Sequence, residues 1–359
     1  MRKEIAYILI LVAFVSCSKD TGFEQPLEDY NTLGFTTKVL DTKGAVKEDF
    51  VFGDRFFVYG VNTGEEDFDL NAPNGLEYVF SSEPSGGVTV VNYGKSEGGG
   101  DNWQYANPVV WLDGKSTFFA FSPVQSNGND YGISNYLSNF SFSEVPGFDF
   151  TVKGGYDPLF ATDDQIALSK VFNKSQVDLL VAYVANQVGG KPINLQFSHA
   201  LSQITFSVRP MQSAGFLRIN SVVLRNVNTR SRYKLGLGWS SLSRVRDFAL
   251  NLNNDAVSMI PATPGKVYSI NDGDQTLMMI PQLLTDIVLE IRYAYSVDGT
   301  VWPDYAQGKL LRVDLSTFSP SWVESRSYNY IINIDPSAVV TLDSGIDPRH
   351  VSIVDQWAD

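Results

Sequence analysis

The stretch from Ile193 to Val208 constrains the fold of this chain most, because it carries two strand patterns in opposite phase. Mostly apolar side chains first recur at every second position, the period of a half-buried strand. These residues are Ile193, Leu195, Phe197, His199 and Leu201. The alternation then continues one residue out of step, at Ile204, Phe206 and Val208. One residue of slip turns every side chain to the other face of a sheet, so one regular strand cannot hold both halves. We therefore predict a strand, a kink between Ala200 and Gln203, and a second strand at the entrance to a second domain.

The length and composition favour two β-rich domains. The chain has 359 residues, which at about 150 residues per domain suggests two cores. Aromatic residues make up 13% of the chain and glycines number 29, as in proteins of many short strands and turns. With 27 Lys and Arg against 40 Asp and Glu, the net charge is −13. Such a surface repels nucleic acid, which is excluded as a partner.

The N-terminus has the composition of a secretory signal peptide, predicted over residues 1–16. Arg2 and Lys3 precede an apolar run from Ile5 to Val15. That run is shorter than the roughly 20 apolar residues that span a bilayer. Cys17 follows it and is the only cysteine, so a disulfide framework is excluded. Residues 17–31 are largely polar and are predicted to form a tether.

Strand patterns fill the rest of the chain. Thr32–Leu40 is predicted as the first strand, with Leu33, Phe35 and Val39 on one face. The Gly-Gly-Lys-Pro turn at 189–192 is predicted as the domain boundary, giving an N-terminal domain of residues 32–190 and a C-terminal domain of residues 191–359. Further strands are predicted over 52–60, 103–111, 118–123, 178–183, 217–227, 287–297 and 328–334. In the strand at 217–227, the predicted apolar face holds Leu217, Ile219, Val223 and Val227.

Several motifs resemble those of the Bacteroidia fimbrillins, the subunits of type V pili. Phe197-Ser-His-Ala-Leu-Ser-Gln-Ile-Thr-Phe-Ser-Val208 is similar to the family's Phe-x-His-Ala-Leu-x-x-Ile-x-Phe-x-Val segment. Further segments resemble family motifs and follow one another in family order: the aromatic block 103–123, Asp178-Leu-Leu180, the segment 278–284 and the closing strand after Trp322. In the last of these, Ser325 stands near the position of a family glycine. The resemblance implies an all-β fold of two tandem transthyretin-like β-sandwich domains of Greek-key type.

The resemblance also implies a lipid anchor at Cys17. Phe14-Val-Ser-Cys17 is similar to a bacterial lipobox, in which the cysteine thiol is converted to a diacylglyceryl thioether, with palmitate for example as an acyl chain, and the cysteine becomes the mature N-terminus. The protein is then expected to be an outer-membrane lipoprotein at the cell surface or in the fimbrium. The alternative to a lipidated Cys17 is an incidental cysteine beside an ordinary signal-peptidase cleavage site.

Two strands carry the assembly mechanism that the resemblance implies. In fimbrillins a trypsin-like protease removes the first strand, here the one containing Leu33, Phe35 and Val39, and a neighbouring subunit donates a strand to the open groove. No arginine lies between Cys17 and Arg55, so the candidate processing site is Lys43, with Lys38 less favoured. The candidate donor strand contains Val351, Ile353, Val354 and Trp357. A strand that pairs within its own domain is the alternative for this C-terminal segment.

The residues give no support for an enzyme. His199 and His350 are the only histidines, and neither lies in a cluster with metal-ligand spacing. His199 is in phase with buried positions, which predicts a hydrogen-bonded residue inside the strand. We expect no catalytic residue, no metal and no cofactor.

The predicted function is therefore structural: a pilin or pilus-associated lipoprotein that assembles by proteolysis-triggered donor-strand exchange with other pilus subunits and serves cell adhesion. One alternative is a non-polymerising surface lipoprotein that binds a glycan or a host protein through exposed aromatic residues. Exposure of Trp103, Tyr105, Trp111 and Trp302 would favour it, and their burial would favour the pilin. Another is an anchor or accessory subunit that keeps its first strand. The sequence leaves the shaft, anchor and tip roles open, as well as the adhesion target.

Overall fold

The structure is a computed structural model, and it describes residues 32–40, 49–83, 85–124, 130–137, 141, 144–173, 175–211, 215–250, 252, 260–261, 263–270, 276–303, 308–334 and 353–355. The predicted signal peptide, Cys17, Lys43, His350, Val351 and Trp357 lie outside these residues.

The described residues form β-strands almost throughout, as the sequence predicts. The strands of the N-terminal half are β1 (Phe35–Val39), β2 (Arg55–Gly64), β3 (Glu77–Tyr78), β4 (Gly87–Lys95), β5 (Asp101–Tyr105), β6 (Lys115–Ser122), β7 (Ile133–Ser134), β8 (Gly147–Thr151), β9 (Leu180–Gln187) and β10 (Ile193–His199). The later strands are β11 (Ser202–Pro210), β12 (Phe216–Lys234), β13 (Gly238–Trp239), β14 (Ser243–Ala249), β15 (Ile260–Pro261), β16 (Tyr268–Ser269), β17 (Leu277–Met279), β18 (Val288–Ser296), β19 (Lys309–Asp314), β20 (Ser327–Ile334) and β21 (Ile353–Asp355). One α-helix, α1 (Asp163–Asn173), and a 3₁₀ turn, Leu315–Thr317, complete the described elements.

These strands form three sheets. The first has the order β1-β10-β9-β6-β2-β4-β5, with β3 added to β2. The second has the order β19-β18-β12-β8-β7, and β13, β14 and β15 also pair with the long β12. The third has the order β16-β11-β20-β21, with β17 on β11. The all-β class is confirmed, whereas the transthyretin-like Greek-key arrangement stays a prediction.

The first sheet is apolar on both faces, and each face contributes to a different core. On β2, Phe56 and Val58 belong to a core that also holds the buried side chains of β1 and β10. Phe57 and Tyr59 point the other way, into a larger core shared with the second and third sheets. A strand buried on both faces reads as a continuous hydrophobic run, which is what β2 and β6 show in the sequence.

The predicted kink lies between β10 and β11, at Ala200 and Leu201. β10 pairs with β1 and β9 in the first sheet, whereas β11 pairs with β20 and β17 in the third. The opposite phases of the two halves thus reflect a change of sheet, and both predicted strands are confirmed.

The strand pairing does not divide at residue 190. β7 and β8 belong to the second sheet, where Phe148 is paired with Tyr233 of β12. β10 follows residue 190 yet belongs to the first sheet. Chain segments therefore cross between the sheets on both sides of the predicted boundary. The division into domains of residues 32–190 and 191–359 stays a prediction.

Candidate functional site: the first-strand groove

β1 lies at the edge of the first sheet and pairs with β10 in parallel. The register runs from Phe35 opposite Ile193 to Val39 opposite Phe197. Backbone hydrogen bonds flank this ladder at both ends, from Ile193 N to the Gly34 carbonyl (2.8 Å) and from Leu40 N to the Phe197 carbonyl (2.8 Å). The alternation predicted from the sequence is confirmed, because Leu33, Phe35 and Val39 are buried whereas Thr36 and Lys38 are exposed.

The segment from Trp103 to Val110 lies on the other side of β1. The Leu33 amide donates to the Val109 carbonyl (2.9 Å), and Thr32 forms an antiparallel bridge with Val110. β1 therefore occupies a groove with β10 as one wall and residues 103–110 as the other. We call this site the first-strand groove.

Aromatic rings form the floor of the groove. The Phe35 ring meets those of Phe56 at 5.5 Å, Tyr105 at 5.8 Å and Phe118 at 6.5 Å, all edge to face. Such pairs add about 0.5–1.5 kcal/mol each beyond the burial of apolar area. Full burial of an apolar side chain contributes roughly 1.5–3 kcal/mol before the entropy cost of ordering the strand is subtracted, and β1 with its preceding Leu33 buries three such side chains.

Two side-chain hydrogen bonds fasten β1 to the wall formed by residues 103–110. The Tyr105 hydroxyl donates to the Leu33 carbonyl (2.8 Å), and the Trp103 indole N–H donates to Thr37 Oγ1 (3.1 Å). Burial raises the pKa of Tyr105 above its usual value. The sequence patterns did not predict either contact. The signal was Thr37, a polar residue in phase with Leu33, Phe35 and Val39.

Phe50 closes the groove at the C-terminal end of β1. Its buried ring lies 5.2 Å from Trp103 and 5.0 Å from Phe197. The sequence gives no signal for this residue, because Phe50 precedes β2 and belongs to no alternating pattern. The chain between β1 and Phe50 carries Lys43.

The two candidate processing lysines differ in position. Lys38 has an exposed side chain, but its backbone lies in the ladder opposite Gln196. A protease must bind its substrate as an accessible extended segment, so the pairing of β1 with β10 disfavours cleavage at Lys38. Lys43 remains the preferred candidate and lies outside the described residues.

The C-terminal segment pairs with the third sheet of its own chain. The backbone of Ile353–Asp355 is antiparallel to Tyr330–Ile332, so that β21 extends this sheet at β20. This is the arrangement of the within-chain alternative. Whether the segment also serves as a donor to a neighbour stays a prediction.

His199 is buried at the end of β10, as predicted. Its Nδ1 lies 2.9 and 2.8 Å from the two carboxylate oxygens of Asp178, the residue that begins the Asp-Leu-Leu motif before β9. Its backbone carbonyl accepts a hydrogen bond from the Ser325 hydroxyl (2.7 Å). The pair thus joins β9, β10 and the loop before β20 at the kink. In the part of the chain that the structure describes, no group of three or more Asp, Glu, His or Cys side chains could hold a metal ion.

The aromatic residues that could form a glycan platform are packed in the structure. Trp103 is 9% exposed, and Tyr105 and Trp111 pack against the same core. Trp302 is half-buried, and the Arg218 guanidinium lies over it at 4.7 Å. Among the described residues, no helix has the length and apolar character needed to cross a bilayer.

Comparison with known proteins identifies the family. The sequence profile of the fimbrillin-like family matches residues 42–348. The chain belongs to the fimbrillin-like family. The resemblance inferred from the sequence motifs is thereby confirmed, and no curated protein sequence matches the chain at a significant level.

Similar solved structures include three proteins from Bacteroides species. A fimbrial protein from Bacteroides vulgatus is 17% identical, covers 90% of this chain and 98% of its own, and superposes with a TM-score of 0.50. Candidate cell adhesion proteins from Bacteroides ovatus (14% identity, 90% of this chain and 95% of that one, TM-score 0.47) and Bacteroides uniformis (13%, 92% and 99%, 0.46) are less similar. At these identities, the likeness to the Bacteroides vulgatus protein establishes a shared fold and no more.

Proposed function

We propose that this fimbrillin-like protein is a surface lipoprotein subunit of a fimbria, and that it assembles by exchanging β1 for a strand of a neighbouring subunit. The observation that carries the proposal is the first-strand groove. An edge strand whose removal exposes Phe56, Phe118 and Phe197 leaves an apolar slot with an unpaired β10 edge. Extended peptides bind such edges by adding a strand, with backbone hydrogen bonds for affinity and side-chain pockets for specificity.

Several features support the steps of this mechanism. The lipobox-like sequence at Cys17 would anchor the precursor to the outer membrane by its acyl chains. Cleavage after Lys43 would separate β1 from the rest of the chain and free the groove after β1 dissociates. Other pilus subunits, of the same or a different kind, would then supply the replacement strand.

The packing of the aromatic residues disfavours the alternative of a glycan-binding lipoprotein. Trp103 is nearly buried, and Tyr105 and Trp111 are partly buried against the core of the groove, which favours a packing role for all three. Adhesion to a host protein or glycan would then depend on other residues.

An anchor subunit that keeps its first strand is the second candidate, because one observation favours it. The segment between β1 and β2 contains no arginine, so an arginine-specific protease has no site there. A subunit of this kind would stay acylated at Cys17 and end the fibre at the membrane.

The N-terminus and mass of the protein recovered from its native cell surface test the proposal. We expect a start at Gly44 and a ladder of multimers that resist denaturant. Lys43→Ala should abolish both, while Lys47→Ala, a change at the neighbouring lysine, should leave both intact. An acylated Cys17 start without multimers would contradict the shaft role and support the anchor.

A further inference from the structure

Positive charge is concentrated on the second sheet. The whole chain has a net charge of −13, but the segment Phe216–Ala249, which contains β12, β13 and β14, has seven Lys and Arg against one acidic residue. A basic patch on an acidic protein attracts a partner of opposite charge and orients its approach. The positions of these side chains indicate which partner fits.

Arg230 and Arg232 of β12 lie on the side of the second sheet that faces away from the shared core. Tyr233, which has the opposite phase along the strand, is buried in that core. Asp149 of β8 contacts both arginines, with Arg232 Nη1 at 3.2 Å and Arg230 Nη2 at 3.7 Å from its carboxylate oxygens. One carboxylate thus faces two guanidinium groups, and the Arg230 side chain is 53% exposed.

Arg244 and Val245 of β14 extend this surface. Val245 pairs with Asn228 of β12, two residues before Arg230, and is 45% exposed. Arg244 is exposed, and its guanidinium forms no ion pair with the described residues. Its φ is +63°, a backbone conformation that glycine adopts without strain, so the retention of an arginine points to a role for its side chain. We call this surface the arginine face: Arg230, Arg232, Arg244 and Val245.

The connection between β2 and β3 carries a surface of the opposite charge. The segment Glu65–Glu83 contains six acidic residues and no Lys or Arg. Leu76 lies in this segment with 67% of its surface exposed, and Glu65, Glu66 and Glu77 are exposed as well. We call this surface the acidic tip: Glu65, Glu66, Leu76 and Glu77.

The acidic tip keeps its negative charge within the molecule. The Lys115 ammonium is bound to Asp67, at 2.8 Å, beside the tip. The three glutamates of the tip form no ion pair with the described residues. Their charge is therefore available to a partner.

We propose that the arginine face docks the acidic tip of a second copy of this chain. In each surface an exposed apolar residue, Val245 or Leu76, stands among charges of one sign, which is the layout of an interface with an apolar centre and a polar rim. The guanidinium fork also matches a carboxylate with two parallel hydrogen bonds. Because the two surfaces differ, the contact is head to tail and repeats from subunit to subunit.

This contact goes beyond the strand exchange proposed above and does not depend on it. Neither β1 nor Lys43 belongs to the arginine face or the acidic tip. The contact therefore forms in the uncleaved chain, so that its failure and the failure of strand exchange are distinguishable.

Sedimentation velocity of the full chain, with β1 uncleaved, tests the docking over a range of concentrations. We expect self-association whose constant falls at least about 10-fold between about 0.05 M and 0.5 M salt, because salt screens exposed charges. Arg244→Glu should weaken the association at least about 10-fold at low salt, because it places like charges opposite each other. Lys191→Glu changes the net charge equally at an exposed turn and should have no such effect.

A further variant separates the contact from the stability of the fold. Arg244→Asn removes the charge and places at this position a residue that visits the left-handed conformation more readily. It should weaken the association while the midpoint of thermal unfolding stays the same or rises. Unchanged association of both Arg244 variants would overturn the role of the arginine face.

A charge swap tests whether the two surfaces face each other. Glu66→Lys alone should weaken the association, whereas Glu97→Lys, an equal charge change at another exposed site, should not. A chain with both Glu66→Lys and Arg244→Glu keeps the net charge of −13 and should recover at least part of the lost association. The absence of any recovery would overturn the pairing of the two surfaces.

Two other results would also overturn the proposal. One is a chain that stays monomeric at low salt and binds heparin, a sulfated polysaccharide, through Arg244, which would assign the arginine face to an anionic glycan. The other is association that appears only after cleavage at Lys43, which would belong to strand exchange instead.

Discussion

At the scale of single residues, Ser325 shows how the kink between β10 and β11 is held. Its φ is +60°, in the left-handed region that suits glycine, and it stands near the position of a glycine in the family motif. Its amide donates to the Leu201 carbonyl (3.2 Å) and its hydroxyl donates to the His199 carbonyl (2.7 Å). The left-handed conformation strains the serine backbone, but the serine hydroxyl adds a hydrogen bond at the kink that a glycine could not form.

This balance predicts that two small substitutions differ in their cost to stability. Ser325→Ala loses the hydroxyl and keeps the strain, so it should destabilise the protein by about 1–2 kcal/mol. Ser325→Gly also loses the hydroxyl but relieves the left-handed conformation, so it should be about 1 kcal/mol more stable than the alanine variant. Chemical denaturation measures both, and an alanine variant as stable as the glycine variant would contradict this account of the kink.

Glu324, next to Ser325, predicts a pH dependence of stability. Burial raises the pKa of its carboxyl to about 7, and a hydrogen bond from Tyr233 lowers it by less. The folded protein thus holds a proton that the unfolded chain releases near pH 4.5. The stability from this proton is fully present below about pH 4.5 and is lost as the pH rises to about 7.

Glu324→Gln should remove this dependence, because glutamine cannot ionise. Between pH 5 and pH 8 we expect the unchanged protein to lose about 1–2 kcal/mol relative to the variant, a value reduced for partial exposure to solvent. Urea denaturation at several pH values measures the difference. As a control, Glu97→Gln changes an exposed residue, and its plot of unfolding free energy against pH should run parallel to that of the unchanged protein. Equal pH slopes for Glu324→Gln and the unchanged protein would refute the role of Glu324.

At the scale of elements, the sequence predicts most strands but misses their irregularities. Periodicity located β1, the break between β10 and β11, β18 and β20, because each has a regular run against one core. It placed Leu217, Ile219, Val223 and Val227 on one face of β12, and for Val223 that is wrong. Val223 packs with Tyr156 and Ala249 in a separate small cluster, because the register of β12 shifts after Ile219 and again after Leu224. Two shifts restore the original phase, so the alternation at either end gives no sign of them.

The first-strand groove was predictable only in part, because its walls come from segments that are far apart in the sequence. The inward face of β1 follows from alternation along one segment. The contacts of Trp103 and Tyr105 join positions more than 60 residues apart, and a single sequence gives no distance between them. The parallel pairing of β1 with β10 was likewise not predictable, because no local turn connects the two strands.

For the element β1, truncation of an inward side chain should destabilise the groove far more than truncation of an outward one. Phe35→Ala removes the ring that meets three other aromatic rings, and we expect a loss of about 3–5 kcal/mol in the free energy of unfolding. Thr36→Ala, at the adjacent exposed position, should stay within about 0.5 kcal/mol. Hydrogen exchange at β10 amides should accelerate in the first variant and not in the second. Equal exchange would mean that β1 does not close the groove.

At the scale of the whole molecule, the face of the first sheet that carries Phe57 and Tyr59 contributes to a core shared by all three sheets. Phe148 of β8 illustrates the connection, since its ring lies 4.7 Å from Phe121 of the first sheet and 5.7 Å from Tyr233 of the second. The apolar cluster around it continues through Ile204 and Phe206 of the third sheet. Strands that cross between sheets make each half of the chain depend on the other.

We therefore expect the described sheets to unfold in one cooperative transition. Calorimetric and van't Hoff enthalpies should agree, and circular dichroism and tryptophan fluorescence should report the same midpoint. Phe148→Ala should move that single transition to lower temperature, because it removes about 3–5 kcal/mol of packing between sheets. Phe160→Ala, at a side chain that is 75% exposed, should leave the midpoint unchanged. Two resolved transitions, of which Phe148→Ala shifts only one, would show instead that the chain behaves as two separate domains divided near residue 190, and the shared core would then contribute little to the coupling between them.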